Sequence, residues 1–429
     1  MRIAVIGSGI AGNVAAHHLH RKHDITVFEA GGHAGGHTHT HGVEQGGRRY
    51  AVDTGFIVFN DWTYPNFIAL LEELGVASQP SRMSFSVRDE ASGLEYNGTT
   101  LNTLFAQRRN LLRPAFLGMV RDILRFNREA PALLREPGGE RPLGDVLDRG
   151  GYGRAFVRHY IIPMGAAIWS TDPESMLGFP ARFFIRFLHN HGMLSVDERP
   201  VWRVIRGGSA RYVEKLVAPF RDRIRLNAPV QWIRRLPGQV IVKARDGAAE
   251  RFDAVFIACH SDQALRLLAD PGPAEREVLG AIPYQENEAV LHTDARLLPK
   301  KRLAWAAWNY HVLPDARGRV ALTYNMNILQ GLDAPQPFLV TLNRSDAVDP
   351  AKVIKRITYH HPLFTPAGVA AQARQAELNR GRRTYYCGAY WRNGFHEDGV
   401  ASALAALGHF NEDLREEAGH AQRPVHRVA

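Results

Sequence analysis

The first 29 residues of this 429-residue chain carry a strand, a glycine turn, a helix and a second strand that ends in an acid. Residues 3–6 predict a short buried strand, and residues 7–12 supply the G-x-G-x-x-G pattern. Its first glycine permits a tight turn, its second lets a pyrophosphate approach the backbone, and its third lets the helix pack on the strand. Glu29 follows the strand at 25–28, where a carboxylate accepts hydrogen bonds from a ribose diol. The sequence therefore predicts a dinucleotide-binding βαβ unit.

A second glycine cluster, at residues 31–38, follows this acid directly, and the run Asp53-Thr54-Gly55-Phe56 comes shortly after it. A simple NAD-binding unit would enter its next helix here, whereas an extended flavin needs a second place of close backbone approach. The arrangement resembles the flavin amine oxidase and phytoene desaturase superfamily, in which a glycine pair soon after the ribose acid helps to hold FAD. The resemblance, rather than the spacing alone, identifies the cofactor as FAD.

A third glycine cluster, at residues 385–399, precedes an alanine-rich helix predicted at 400–407. In the superfamily this position is a loop and a helix N-terminus directed at the flavin ring, where the positive end of the helix dipole favours the reduced anion. Cys387 lacks the glycine pair and the aromatic residue that flank the flavin-linked cysteine of some amine oxidases, so we expect non-covalent FAD. The motifs and the resemblance together imply these cofactor-binding residues: Gly7, Ser8, Gly9, Ile10, Ala11, Gly12, Glu29, Ala30, Gly35, Gly36, His37, Thr38, Thr54, Gly55, Phe56, Val230, Ala258, Gly388, Gly394, Glu397, Asp398 and Gly399.

Length and composition indicate two packed domains and an ordinary globular chain, with 45% hydrophobic and 22% charged residues. The N-terminus starts the first strand at once, no apolar run is long enough to span a bilayer, and there are only two cysteines. We therefore expect a cytoplasmic protein without a signal peptide.

The chain leaves the nucleotide-binding pattern near residue 60 and returns to it later, so the fold class is α/β: a discontinuous Rossmann-like FAD-binding domain (GR2 type) with an inserted α+β substrate domain. A helix at 65–74 that ends at Gly75, strands at 230–233, 240–244 and 251–257, and an exposed loop at 135–142 are predicted. The predicted boundaries are 1–80, 205–265 and 381–411 for the FAD domain, 81–204 and 266–380 for the substrate domain, and 412–429 for a polar tail.

The net charge of +10 is concentrated in arginine, and much of it lies within residues 105–134. Arg121, Arg125 and Arg128 have i, i+4, i+7 spacing beside an apolar face. Such a helix can rest on an anionic membrane surface, which is compatible with a peripheral position at the inner face of the membrane. A solvated arginine face on a core helix is the alternative reading. No nucleic-acid-binding signature accompanies the charge.

Further segments resemble the flavin domain fused to plant cyclopropane fatty-acid synthases and its free-standing bacterial relatives. They include residues 53–66, 83–87, 105–110, 304–309 and 322–330. The resemblance covers almost the whole chain except the tail. It implies a phospholipid or fatty acyl substrate, methyl-branched or cyclopropane-related, and a lipid methyltransferase as a partner.

The expected activity is that of an FAD-dependent oxidoreductase that desaturates an acyl chain by hydride transfer to flavin N5. Such a desaturase would use an apolar tunnel, for which the middle of the chain offers Phe and Trp side chains. The polar candidates for the catalytic site are His396, Tyr324 and Asn309, although structural hydrogen bonding can also account for each of them. A flavin amine oxidase, a carotenoid-type desaturase, and a flavin-binding partner subunit of a lipid methyltransferase remain alternatives. The histidines between 33 and 41 lack carboxylate or thiolate partners, so no metal site is predicted.

Overall fold

The computed structural model describes residues 1–136, 140–314 and 319–421. The described residues form two compact units, one made of residues 1–36, 212–282 and 370–421, and the other of the described residues within 37–211 and 283–369. The strands, in chain order, are β1 (Arg2–Ile6), β2 (Asp24–Phe28), β3 (Thr40–Gln45), β4 (Arg48–Asp53), β5 (Phe59–Asn60), β6 (Ser78–Pro80), β7 (Phe85–Asp89), β8 (Leu94–Asn97), β9 (Trp202–Ile205), β10 (Ile224–Arg225), β11 (Val230–Leu236), β12 (Gln239–Ala244), β13 (Ala249–Phe252), β14 (Ala254–Ile257), β15 (Tyr284–His292), β16 (Trp308–Val312), β17 (Leu322–Asn325), β18 (Leu339–Leu342), β19 (Val353–Pro362) and β20 (Thr384–Tyr386).

Helices connect these strands and cover the sheets. In chain order they are α1 (Ile10–Leu19), α2 (Pro65–Glu73), α3 (Leu101–Leu104), α4 (Pro114–Glu129), α5 (Leu143–Arg149), α6 (Arg154–Phe156), α7 (Ile162–Trp169), α8 (Ala181–Asn190), α9 (Ala210–Val217), α10 (Ser261–Leu267), α11 (Pro273–Gly280), α12 (Met326–Leu329), α13 (Pro366–Gln372), α14 (Gln375–Leu378) and α15 (His396–Ala421).

The first unit is built on a five-stranded parallel sheet in the order β10-β2-β1-β14-β20. Its central strands β1 and β14 are almost entirely buried, as expected for a parallel sheet that is covered on both faces. An antiparallel meander, β11-β12-β13, belongs to the same unit. This is the doubly wound α/β architecture that the N-terminal motif predicts.

The second unit contains a seven-stranded sheet in the order β19-β15-β18-β17-β16-β7-β8, antiparallel except for the pairing of β16 with β7. One face of this sheet packs on the β3-β4 hairpin through a buried cluster that includes Val52, Leu291 and Val340. Smaller strands β5, β9 and β6 form a separate sheet. Helices α2 to α8 lie in the same unit, which is therefore α+β.

Several predicted elements are found where the sequence places them. Helix α2 ends before Gly75, which has φ +60° and donates to the carbonyl of Glu72, as a helix-terminating glycine does. The Pro237-Gly238 turn joins β11 to β12. Strand β14 pairs with β1, so the chain does return to the nucleotide-binding sheet.

Two predicted elements differ from the structure. The strand predicted at 251–257 is two strands, because β13 belongs to the meander whereas β14 belongs to the parallel sheet. The helix predicted at 400–407 is α15, which begins at His396 and continues to Ala421, well into the predicted tail. The later turns of α15 are polar and exposed, but their residue types have good helix propensity. A polar composition therefore does not mark where this helix ends. Residues 137–139 of the predicted loop and 422–429 of the predicted tail lie outside the described residues.

Candidate functional site

The first glycine cluster forms a tight turn between β1 and α1. Gly7 has φ +97° and its amide donates to the carbonyl of Phe28 over 2.8 Å. A Cβ atom at Gly12 would lie 1.9 Å from the carbonyl oxygen of Gly7, so only glycine allows α1 to begin this close to the strand. A Cβ atom at Gly9 would meet nothing within 4 Å. The turn therefore leaves open space at Gly9, beside the first amides of α1, where a phosphate can approach.

The second glycine cluster folds back over this turn. The amide of Gly35 donates to the carbonyl of Ser8 over 2.8 Å. Gly36 has φ +59°, and a Cβ atom there would lie 2.9 Å from the Cα atom of Gly9. The close approach of two backbone segments explains why residues 35 and 36 are both glycine.

The third glycine cluster reaches the same helix terminus. Gly399 lies in the first turn of α15, and a Cβ atom there would lie 2.5 Å from Cγ2 of Ile10. Gly388 precedes this turn and its amide donates to the hydroxyl of Ser402 over 2.9 Å, while Gly394 has φ +92°. Three segments that are far apart in sequence thus meet at the N-terminus of α1, within the first unit.

Acidic side chains mark the start of α15. Asp398 accepts a hydrogen bond from the amide of Phe395 over 2.9 Å, and burial raises the pKa of its carboxyl to about 7. Glu397 is also buried. The Nε2 atom of His396 and the hydroxyl of Tyr212 lie 2.8 Å apart. His396 is therefore engaged with the helix α9 that begins beside it, and its catalytic role stays a prediction.

The predicted ribose acid sits beside the phosphate turn. One carboxylate oxygen of Glu29 accepts hydrogen bonds from the amide and the hydroxyl of Ser8, at 2.8 and 2.6 Å, and the other accepts from the amide of Gly31 at 2.7 Å. The carboxylate is only partly buried, so lone pairs remain accessible to a diol. Ala30 follows Glu29 on the exposed side of the loop.

Two predicted cofactor residues come from the β10–β14 region of the first unit. The carbonyl oxygen of Ala258 would lie 3.1 Å from a Cβ atom at Gly7, and its own Cβ the same distance from one at Gly12. Ala258 thus packs directly against the glycine turn. Val230 begins β11, close in sequence to Ala228, whose amide donates to the carbonyl of Glu29. Ala11, in the first turn of α1, is buried.

The remaining predicted cofactor residues lie in the second unit and form a compact group of their own. A Cβ atom at Gly55 would lie 1.9 Å from the carbonyl oxygen of His37, which accepts a hydrogen bond from the amide of Phe56. The hydroxyls of Thr54 and Tyr359 lie 2.9 Å apart, and the His37 ring stacks on Tyr359. Burial lowers the pKa of His37 to about 4, so this imidazole is neutral at physiological pH. Thr38, next to His37, is buried.

Sequence reasoning missed the network that holds this group in place. The buried carboxylate of Asp53 accepts hydrogen bonds from the amide and hydroxyl of Ser209, from the Thr40 hydroxyl and from the side-chain amide of Gln330. Burial raises its pKa to about 6 despite these donors. The available signal was an acid directly before Thr54-Gly55 at the end of an alternating strand, but two of its partners, Ser209 and Gln330, lie more than 150 residues away.

The structure separates two of the predicted catalytic residues. Trp308 pairs with Tyr324 across β16 and β17, so both lie on one face of the seven-stranded sheet, whereas Asn309 lies on the opposite face. Asn309 accepts from Ser86 and from the amide of Ala306, and donates to the carbonyls of Ala306 and Thr323. Its polar atoms are fully engaged in holding the strands, and it does not join Tyr324 in one site.

Tyr324 lies beside an aromatic cluster. Burial raises the pKa of its hydroxyl, which is hydrogen-bonded to Ser170. Ser170 follows Trp169, whose ring centroid lies 4.7 Å from Phe179 and 4.8 Å from Phe187. Phe183 and Phe364 stack at 5.0 Å in the same cluster. The same sheet face carries Tyr359, because Tyr324 and Tyr359 both pack against one buried core.

Three further features of the described residues concern metal binding, membrane spanning and cavities. No group of three or more His, Cys, Asp or Glu residues within them could hold a metal ion. None of their helices is long and apolar enough to cross a bilayer. A cavity of about 720 Å³ in the first unit is lined by charged residues such as Arg235, Asp270 and Arg382, and shares no residue with the glycine clusters.

The chain was compared with known proteins. The model of the family described as flavin containing amine oxidoreductase matches residues 10–301. Among solved structures, cyclohexylamine oxidase from Brevibacterium oxydans IH-35A has a TM-score of 0.69 at 15% identity, over 96% of this chain and 99% of that one. A CLA-producing fatty acid isomerase from P. acnes has a TM-score of 0.64 at 18% identity, over 95% and 98%. Wild-type putrescine oxidase bound to putrescine has a TM-score of 0.65 at 15% identity, over 95% and 99%. No curated protein sequence matches the chain. At these identities the structural likeness establishes the fold alone.

Proposed function

The chain belongs to the flavin containing amine oxidoreductase family and is an FAD-dependent oxidoreductase, and we propose that its substrate is the acyl chain of a lipid, which it dehydrogenates. The glycine geometry fits this cofactor: the open space at Gly9, the overlying Gly36 and the accessible carboxylate of Glu29 form a cradle for a pyrophosphate and a ribose. FAD, when bound, supplies the acceptor for a hydride.

The protein's own residues would bind and orient the two partners of this reaction. In the first unit, backbone amides at the start of α1 bind the phosphates, and Glu29 accepts hydrogen bonds from the ribose. In the second unit, Thr54, Gly55 and Phe56 form a rigid segment because the Asp53 network locks the strand before them. We propose that this segment contacts the cofactor as the resemblance implies.

The aromatic cluster around Trp169 is the single observation that carries the substrate proposal. Trp169, Phe179, Phe183, Phe187 and Phe364 supply apolar rings, and Ser170 connects them to Tyr324. Apolar side chains position a hydrocarbon and exclude water, and an unactivated C–H bond gains most from such positioning. The resemblance to the flavin domain of plant cyclopropane fatty-acid synthases supports the same substrate class.

An amine substrate is the second candidate, and one observation favours it. Trp308 and Tyr324 meet edge to face with ring centroids 5.3 Å apart, and aromatic faces attract cations. The amine oxidases among the structural neighbours share this fold.

Anaerobic mixing separates the candidates. The FAD-loaded protein is mixed with phospholipids that carry saturated, monounsaturated, methyl-branched or cyclopropane chains, and separately with putrescine and cyclohexylamine. Bleaching of the visible flavin absorbance by one lipid class, and by neither amine, is the expected result. Bleaching by an amine alone would establish the second candidate instead. No bleaching, together with tight binding to a lipid methyltransferase, would replace the enzyme with a partner subunit.

Substitution then tests the aromatic cluster. Phe183→Ala is expected to raise KM for the reacting lipid while flavin content stays unchanged, because it removes a ring from the proposed binding surface. Phe126→Ala is the matched control, since Phe126 packs on Tyr152 and Phe156 elsewhere in the same unit. Equal effects of both substitutions on KM would contradict a substrate role for the cluster.

A further inference from the structure

The second unit has an exposed surface in which leucines and basic side chains alternate. We call it the leucine–arginine face and define it as the exposed side of residues 101–128 together with residues 300–303. Among the described residues there are fourteen exposed large hydrophobic side chains, and five of them are leucines between positions 101 and 124. Leu112 is 87% exposed and Leu101 is 77% exposed. This concentration is unusual, because scattered single leucines are normal on a surface but a group of them is not.

Helix α4 shows the pattern most clearly. Its buried side carries Phe116, Met119 and Phe126, which face the interior of the unit. Its outer side carries Leu117, Arg121, Leu124 and Arg128 at i, i+4, i+7 and i+11 spacing. The side chains of Arg121 and Arg128 are 80% and 74% exposed. A merely solvated face would place polar residues where these two leucines stand.

The segment before α4 is fixed next to the helix. The guanidinium of Arg108 donates to the carbonyls of Asn102 and Phe105, and the Phe105 ring meets Phe116 of α4 at 5.7 Å. Leu111 and Leu112 are exposed. The contacts on either side of them fix the segment that carries them.

A distant part of the chain extends the same face. The amides of Lys300 and Lys301 donate to the Glu95 carboxylate over 2.8 and 2.9 Å, which holds residues 300–303 beside β8, directly before α3. This stretch adds three basic side chains and Leu303, which is 40% exposed. Within residues 101–128 there are six arginines and one acidic residue, Asp122, whose carboxylate is buried and accepts from the amide of Gly153. Arg128 pairs with Glu129 at 3.0 Å, and Arg121 and Arg125 lie 3.7 Å from Asp122, so the face contains ion pairs and still has a clear excess of positive charge.

We propose that the leucine–arginine face docks the protein on the surface of an anionic phospholipid bilayer. Leucine side chains insert at the boundary of the acyl chains, and the basic side chains contact lipid phosphates at the headgroup level. Nucleic acid would use the positive charge but gains nothing from exposed leucines, so it fits the face less well. The proposal depends on this surface alone and is independent of the substrate.

Vesicle co-sedimentation tests the proposal with the FAD-loaded protein. Vesicles of phosphatidylcholine mixed with phosphatidylglycerol are compared with vesicles of phosphatidylcholine alone, at low and at high salt. We expect binding to the mixed vesicles at low salt, and weaker binding to neutral vesicles or at high salt, where surface charges are screened. No binding to the mixed vesicles at low salt overturns the proposal, even if the same face proves to bind another protein.

Substitutions locate the binding surface. Leu112→Asp is expected to weaken partitioning by about tenfold or more, because it removes an inserted apolar side chain and adds a repelled charge. Arg121→Glu is expected to weaken it by about fivefold or more. The matched controls are Val196→Asp, an exposed apolar residue elsewhere in the unit, and Arg415→Glu, an exposed arginine on α15. Flavin content and melting temperature verify folding. Wild-type partitioning of both Leu112→Asp and Arg121→Glu overturns the proposal.

Discussion

The glycine-lined turn of the first unit and the aromatic sheet face of the second unit are built on different principles. At the turn, the geometry depends on the backbone, because Cβ atoms at Gly12 and Gly36 would collide with main-chain atoms. At the sheet face, the geometry depends on side chains such as Tyr324 and Trp169, which strands and helices bring together. A backbone site tolerates almost no substitution, whereas a side-chain site can change its ligand while the fold is retained.

The largest expected effect breaks the turn itself. Gly12→Ala places a methyl group 1.9 Å from the carbonyl oxygen of Gly7, so we expect loss of FAD and a decrease in the free energy of unfolding of about 3 kcal/mol. Gly9→Ala has room for the added methyl group in the protein and should lose FAD affinity while the apoprotein keeps its stability. Flavin content and chemical denaturation measure both. Full FAD occupancy in Gly9→Ala would show that the phosphate does not approach at this point.

Asn309→Ala is expected to have the next largest effect, on stability rather than on the site. It leaves the groups that bond to the side chain without partners, so we expect the free energy of unfolding to fall by roughly 3 kcal/mol. Denaturant unfolding checks this, with Asn190→Ala, at an exposed asparagine of the same unit, as control. If the variant were fully stable but had strongly reduced turnover, Asn309 would have a catalytic role rather than a structural one.

Glu29→Gln tests the contribution of a side chain to the cofactor site at the glycine-lined turn. The amide has one accepting oxygen where the charged carboxylate has two, so it cannot hold both hydroxyls of a ribose equally well, and FAD affinity should fall by about ten- to a hundredfold. Titration of the apoprotein with FAD measures the dissociation constant. An unchanged constant would mean that Glu29 only shapes the loop and does not reach the ribose.

Tyr324→Phe tests the side-chain site with a smaller change. The substitution keeps the ring and removes the hydroxyl that is bonded to Ser170. We expect kcat/KM for the reacting substrate to fall by about tenfold or less, with normal flavin content. Loss of flavin from this variant would mean that the Tyr324 hydroxyl is needed to hold FAD, which contradicts a role confined to the substrate.

The smallest effect concerns the acid at the start of α15. The pKa of Asp398 is raised from 3.8 to about 7 in the folded protein, so the native state binds more protons than the unfolded state between these values. The contribution of Asp398 to the free energy of unfolding is therefore largest at low pH, falls as the pH rises through this window, and is constant above it. Asp398→Asn should remove this dependence and be more stable than the parent protein by about 1 kcal/mol or more near neutral pH. Parallel unfolding profiles for the two proteins across the window would disprove it.

Local patterns predicted the parts of the molecule that depend on neighbouring residues. The β1-α1-β2 unit, the end of α2 at Gly75 and the Pro237-Gly238 turn follow from spacing and from backbone conformation. The division of the strand predicted at 251–257 does not follow from the local pattern, because the two parts adjoin in sequence and only their pairing partners, β12 for the first and β1 for the second, distinguish them. The Asp53–Ser209 contact likewise joins segments 156 residues apart.

The sequence by itself determined that the chain has a dinucleotide-binding unit and three glycine clusters, because glycine is required wherever a backbone must pass too close for a Cβ atom. Only the tertiary structure decided that these clusters meet at one helix terminus. It also decided that Asn309 and Tyr324 lie on opposite faces of a sheet, and that residues 300–303 lie beside the leucines that begin at residue 101. Strand register and long-range hydrogen bonds fix these arrangements, and neither is encoded in the spacing of residues along a single segment.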